Sequence, residues 1–155
     1  MKKQSTPLSS FTAAEESSGF LLWQLTALWQ RSLNALLKKL DLTHAQFVVL
    51  MSAHWLGAQN ASVTQVELAR HAKMEVMLVS NILKVLEEKK LIIRAVSSSD
   101  SRAKSIKVTA EGARVLRPAV KEVEAFDAAF FAPLGKDTAR FNAYLLKIIT
   151  ANYES

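Results

Sequence analysis

The sequence predicts a mainly α-helical fold with one β-hairpin set late in the chain, on three observations. Apolar residues recur at helical spacing over most of the chain, capping patterns mark where helices begin, and the period switches once to that of strands, near residues 91–109. The chain has 155 residues, 50% of them hydrophobic. That is material for one domain with its own core and for helices beyond it.

Residues 1–14 contain no apolar signal core and read as a flexible tail. From about Glu15 to Leu40, the residues Leu21, Leu22, Leu25, Leu28, Trp29, Leu33, Leu36, Leu37 and Leu40 recur with a helix period over a wide face. Glu15 and Glu16 stand at its start and Lys38 and Lys39 at its end, as the helix dipole favours. Such a helix, about 37 Å long, is more than a small domain can cover, so 15–40 is read as a dimerisation helix.

Thr43 with Gln46 is a capping-box pattern that opens a helix through Phe47, Leu50, Met51 and Trp55, and the polar run from Gly57 to Ser62 reads as its break. Thr64 with Glu67 repeats the pattern before a short helix whose inward residues are predicted to be Val66, Leu68 and Ala69. After His71-Ala72-Lys73, another helix turns Val79, Ile82, Leu83 and Leu86 inward. Two such helices separated by three or four residues are a helix-turn-helix.

Leu91 to Val96 is strand-like, Ser97 to Arg102 is a polar turn, and Lys104 to Thr109 alternates as a half-buried strand should. A hairpin behind a helix-turn-helix makes 41–109 a winged helix-turn-helix. Thr109 then caps a helix through Leu116, Val120, Val123, Phe126 and Phe130, with a kink predicted at Pro118. Beyond Ala132-Pro133-Leu134-Gly135, a last helix carries Phe141, Leu145, Ile148 and Ile149 on one side. Segment 110–155 is read as a second dimerisation element.

The formal net charge is +6, and its placement narrows the partner. Residues 63–109 carry nine bases against five acids, whereas 110–155 carry six of each. Residues 1–40 add five bases against two acids, so the basic surplus lies in the tail, at the end of the first helix and in the winged helix, ahead of a neutral, apolar C-terminal segment, and it points to double-stranded DNA. The absence of cysteine removes thiolate chemistry and cysteine-type zinc sites. His44, His54 and His71 lack ligand spacing, and four scattered glycines form no phosphate-cradling loop. The reading is therefore a non-enzyme with no metal or cofactor. With no run of about 18 uninterrupted apolar residues, it is read as a soluble, cytoplasmic protein with no membrane partner.

Five stretches carry a resemblance. They are Leu42-Thr43-His44-Ala45-Gln46-Phe47-Val48-Val49-Leu50, Thr64 to Ala69, Val79 to Lys89, Asp100-Ser101-Arg102-Ala103-Lys104, and Val108-Thr109-Ala110-Glu111-Gly112. In order and spacing they resemble the multiple antibiotic resistance regulator (MarR) family. The resemblance implies a homodimer joined through its N- and C-terminal helices, holding a pseudo-palindromic operator. Most members are repressors, usually regulated by a small ligand, here expected to be hydrophobic or aromatic.

The resemblance assigns the minor-groove wing role to Arg102, oriented by Asp100, and base reading to the helix around Met77, Leu78, Ser80, Asn81 and Lys84. Lys73 and Lys84 suit phosphate, and Asn81 suits adenine. Lys104 is a further candidate contact, and Arg94 is open between phosphate and an ion pair with Glu87 or Glu88. Trp23, Trp29, His44 and Trp55 are candidates for an effector pocket. Three positions depart from the family: Asn81 where arginine is common, Leu78 where a small hydroxylated residue is common, and Lys90 where glycine is common. The altered Leu78 and Asn81 positions, with the Met74, Met77 and Leu78 cluster, motivate an alternative: a dimeric protein-interaction or effector-sequestering module with weak DNA binding.

Overall fold

A computed structural model describes residues 8–60, 62–96 and 104–153. Six helices and one hairpin follow in the order α1 (Ser18–Lys38), α2 (His44–Gln59), α3 (Gln65–Ala72), α4 (Val76–Glu88), β1 (Ile92–Val96), β2 (Lys104–Val108), α5 (Ala110–Phe130) and α6 (Thr138–Tyr153). Short 3-10 turns at Ala14–Glu16 and Ala132–Asp137 precede α1 and α6.

The helix starts are fixed by side chains that satisfy otherwise unpaired N–H groups. Thr43 accepts from the Gln46 N–H while the Gln46 side chain accepts from the Thr43 N–H, and Thr64 and Glu67 repeat the exchange. Thr109 accepts from the Gly112 N–H at the head of α5. α1 begins later than the periodicity suggests. Ser17 is its cap, and Glu16 instead bonds Thr12 in the preceding turn.

The core lies between α2, α3, α4, β2 and the first half of α5. Leu50, Leu68, Val79, Leu83 and Leu86 are fully buried in it, together with Leu33 and Leu37 from the end of α1. At about 25 cal/mol per Å² of apolar surface removed from water, this cluster is the main stabilising element of the fold. α6 buries none of its residues.

Three expectations are corrected. The polar run at Gly57 does not break α2, which continues to Gln59 and is closed by the Asn60 N–H on the Leu56 carbonyl; Gly57 lies in open space, so nothing there demands a turn. Val66 points outward and is exposed, because α3 offers its core only the Leu68–Ala69 edge. β2 does not alternate: Ser105 and Ile106 are both buried. β2 is packed by several elements, α2, α3 and α5 as well as β1, which leaves no solvent face at these two positions. β1 pairs with β2 antiparallel, Arg94 opposite Ile106, while the Ile106 N–H donates to the Val63 carbonyl at 2.8 Å. β2 is thereby covered on both edges.

Candidate nucleic-acid interface

α3 and α4 are joined by Lys73, Met74 and Glu75. Lys73 takes the left-handed backbone (φ 54°) that ends α3, and the Gln65 side chain donates to the Val76 carbonyl, tying the two helix starts together. α4 then divides by face. Val79, Ile82, Leu83 and Leu86 enter the core, while Met77, Leu78, Asn81 and Lys84 are exposed and Ser80 is half-buried. The spacing of Met77, Asn81 and Lys84 puts them in one outward row. Glu75 supplies no side-chain cap to α4.

Two of the basic candidates already have partners within the chain. The Lys73 ammonium stands 2.9 Å from the centroid of the Tyr153 ring, a cation–π arrangement. Arg94 pairs with Glu87, which settles the choice between Glu87 and Glu88: Nε and Nη2 both reach Glu87 Oε2, at 2.9 and 2.7 Å. The Arg94 hydrogen bond holds the Glu87 carboxyl below the ordinary range; burial opposes it, and the charges of Arg94 and Lys104 add to the lowering. Lys104 is exposed at the start of β2. Asp100 and Arg102 lie outside the described residues.

The hairpin is anchored at its base by contacts that periodicity does not reveal. Lys90 ends the α4 turn in the left-handed region (φ 60°), as glycine would; it is there although a side chain in that conformation costs about 1–2 kcal/mol. The Thr109 hydroxyl donates to the Lys90 carbonyl at 2.7 Å, and the Thr109 N–H donates to the Leu91 carbonyl at 3.0 Å. One turn on, Gly112 passes so close to this corner that a Cβ there would lie 2.1 Å from the Leu91 carbonyl oxygen. The Thr-x-x-Gly spacing was the available signal for this joint.

The four candidate effector residues do not meet in one pocket. Trp29 and His44 pack edge to face, with ring centroids 5.0 Å apart, and Trp29 Nε1 donates to Asp127 Oδ1 at 2.8 Å. Burial lowers the His44 pKa below the ordinary value, and the Asp127 charge partly opposes that. Trp55 lines a separate open groove of about 320 Å³ with Phe47, Val48, Met51, Ser52 and His71, where His71 Nδ1 and Ser52 Oγ are 3.0 Å apart. Trp23 is exposed on α1, beside Phe20. Asp127 and the His71–Ser52 pair were missed by sequence reasoning, since their partners lie 98 and 19 residues away along the chain.

Comparison with known proteins agrees with this geometry. Residues 42–104 match the MarR family model. The HTH-type transcriptional regulator YdcH of Bacillus subtilis is 40% identical over 124 residues, spanning 80% of this chain and 84% of that protein. Among solved structures, a mutant of Escherichia coli MarR complexed with operator DNA is 28% identical with a TM-score of 0.74, covering 84% of this chain and 91% of its own. CouR from Rhodococcus jostii, bound to p-coumaroyl-CoA, is 25% identical with a TM-score of 0.77, covering 90% and 95%. With its winged helix-turn-helix and flanking helices, the chain belongs to the MarR family and is a DNA-binding transcriptional regulator.

Proposed function

We propose that the protein is a homodimeric repressor that holds a pseudo-palindromic operator and lets go of it when a small hydrophobic or aromatic effector binds. The observation that carries this reading is the division of α4, with four residues locked in the core and Met77, Asn81 and Lys84 in a row outside. A helix so held can enter a major groove without losing its own support. Arg102, oriented by Asp100, takes the wing position toward the minor groove, and Lys84 and Lys104 meet phosphate.

The dimer follows from what the single chain leaves uncovered. Leu21, Leu22, Trp23 and Leu28 on α1, and Tyr144, Leu146, Ile148 and Ile149 on α6, are all exposed. Apolar faces of that extent belong against a partner, and the dimer supplies it with the same two helices. Among the described residues no helix is long and apolar enough to cross a membrane. We place the protein in the cytoplasm with its DNA, acting by binding and not by turnover.

For the effector, the open, largely apolar groove beside Trp55 offers a face against which an aromatic ring can lie. It spans α2 and α3, so a ligand there would press directly on the helix-turn-helix. CouR, which holds an aromatic acyl thioester, supports the ligand class.

Binding of the dimer to its operator, followed by fluorescence anisotropy across a salt series, tests the reading. Affinity is expected to fall steeply with salt, and Arg102→Ala to weaken binding. Unchanged affinity of Arg102→Ala on the cognate operator would remove the wing role.

A further inference from the structure

The leading end of α4 is apolar where a DNA-reading surface is ordinarily polar. Val76, Met77 and Leu78 are 40%, 72% and 48% exposed, and the polar Asn81 and Lys84 follow along the same side. Glu75, exposed at the helix start, offsets the charge of nearby Lys73, so the side chains of this tip bring no net positive charge. Its chemistry is aliphatic and thioether.

In the major groove one base edge matches that chemistry. Thymine alone presents an apolar group there, its C5 methyl, whereas guanine, cytosine and adenine present only hydrogen-bond donors and acceptors. The patch is continuous with Asn81 and Lys84 on the face assigned to DNA, and this continuity favours the groove over a protein as its occupant.

We propose that Met77 and Leu78 are specificity-determining residues that read thymine methyl groups, so that each operator half-site carries thymines opposite the start of α4. The proposal rests on the reading of α4 as the recognition helix. Leu78 then has a physical role: replacing a small hydroxylated residue by leucine exchanges a hydrogen-bonding reader for a methyl reader.

The test uses full-length dimer and the operator it selects from random-sequence DNA. Thymines are replaced one at a time by deoxyuridine, which removes only the methyl group. Wild-type affinity is expected to drop about three- to fivefold at one or two positions per half-site, as loss of one buried methyl implies. Leu78→Ala and Met77→Ala, both at exposed positions, should bind thymine and uracil probes alike at those positions and keep the salt slope. Equal wild-type affinity for both probes overturns the proposal, as does a thymine preference that survives in both variants. Salt-dependent binding with no enriched sequence overturns it while leaving DNA binding intact. No DNA binding at low salt overturns the recognition-helix reading as well, and points to a protein as the occupant of the patch.

Discussion

Arg94 on β1 and Glu87 on the last turn of α4 are joined by two contacts of 2.9 and 2.7 Å to a single carboxylate oxygen. The Glu87 side chain is 41% exposed, so solvent screens the pair and its worth to stability is below about 1 kcal/mol. Because the Glu87 pKa is lowered on folding, this contribution is present above the unfolded carboxyl value and fades as pH falls through the folded one. Glu87→Gln should release Arg94 toward phosphate. Raised operator affinity at low salt, with a salt slope steeper by about one, is the expected readout; an unchanged slope assigns Arg94 to the fold alone.

Two glycines should respond in opposite directions to alanine. A Cβ at Gly112 meets the Leu91 carbonyl, which is backbone and cannot yield as a side chain does. Gly112→Ala is expected to destabilise by about 3 kcal/mol or more. Gly57, inside α2 with nothing near it, should gain about 0.5–1 kcal/mol as alanine. Urea unfolding of the two variants beside wild type gives both signs in one experiment.

Lys90 occupies left-handed backbone that glycine enters freely. Lys90→Gly should therefore stabilise the protein, by about 0.5–1 kcal/mol once the extra freedom of the unfolded glycine is offset. The midpoint of denaturation should rise with an unchanged m-value. A fall in the midpoint would mean that the lysine side chain contributes more than the strain.

His44 makes stability depend on pH. Its folded pKa is lowered by burial, so below about 6.5 the unfolded chain binds more protons than the folded one. Stability is then expected to decrease as pH falls from that value toward the folded pKa. His44→Gln should flatten that part of a thermal-melt pH profile, and an equally steep slope in the variant would exonerate His44.

Much of this architecture was legible because its signals are local. Thr43, Thr64 and Thr109 each bond within three residues, so the helix starts could be read from short patterns, and the inward face of α4 follows from its period alone. What escaped depends on distant neighbours. Val66 fits an apolar pattern but faces outward, Ser105 and Ile106 are buried together because helices from distant parts of the chain pack on β2, and Trp29 owes its partner to the far end of the chain. Of the interface, the outward row on α4 was readable. That Lys73 is already engaged with Tyr153 was not, and for Arg94 the ion pair was one of two readings left open.

The separation of faces on α4 carries a consequence for how this regulator could acquire new targets. Residues 77, 81 and 84 stand outside the packed core, where substitutions ordinarily shift stability by no more than about 0.5 kcal/mol. With these residues as the proposed readers, operator preference is open to rewriting, by gene duplication or by a protein engineer, without renegotiating the fold. Gly112 and Leu91 offer no such freedom, and their corner is the fixed frame into which interchangeable readers are set.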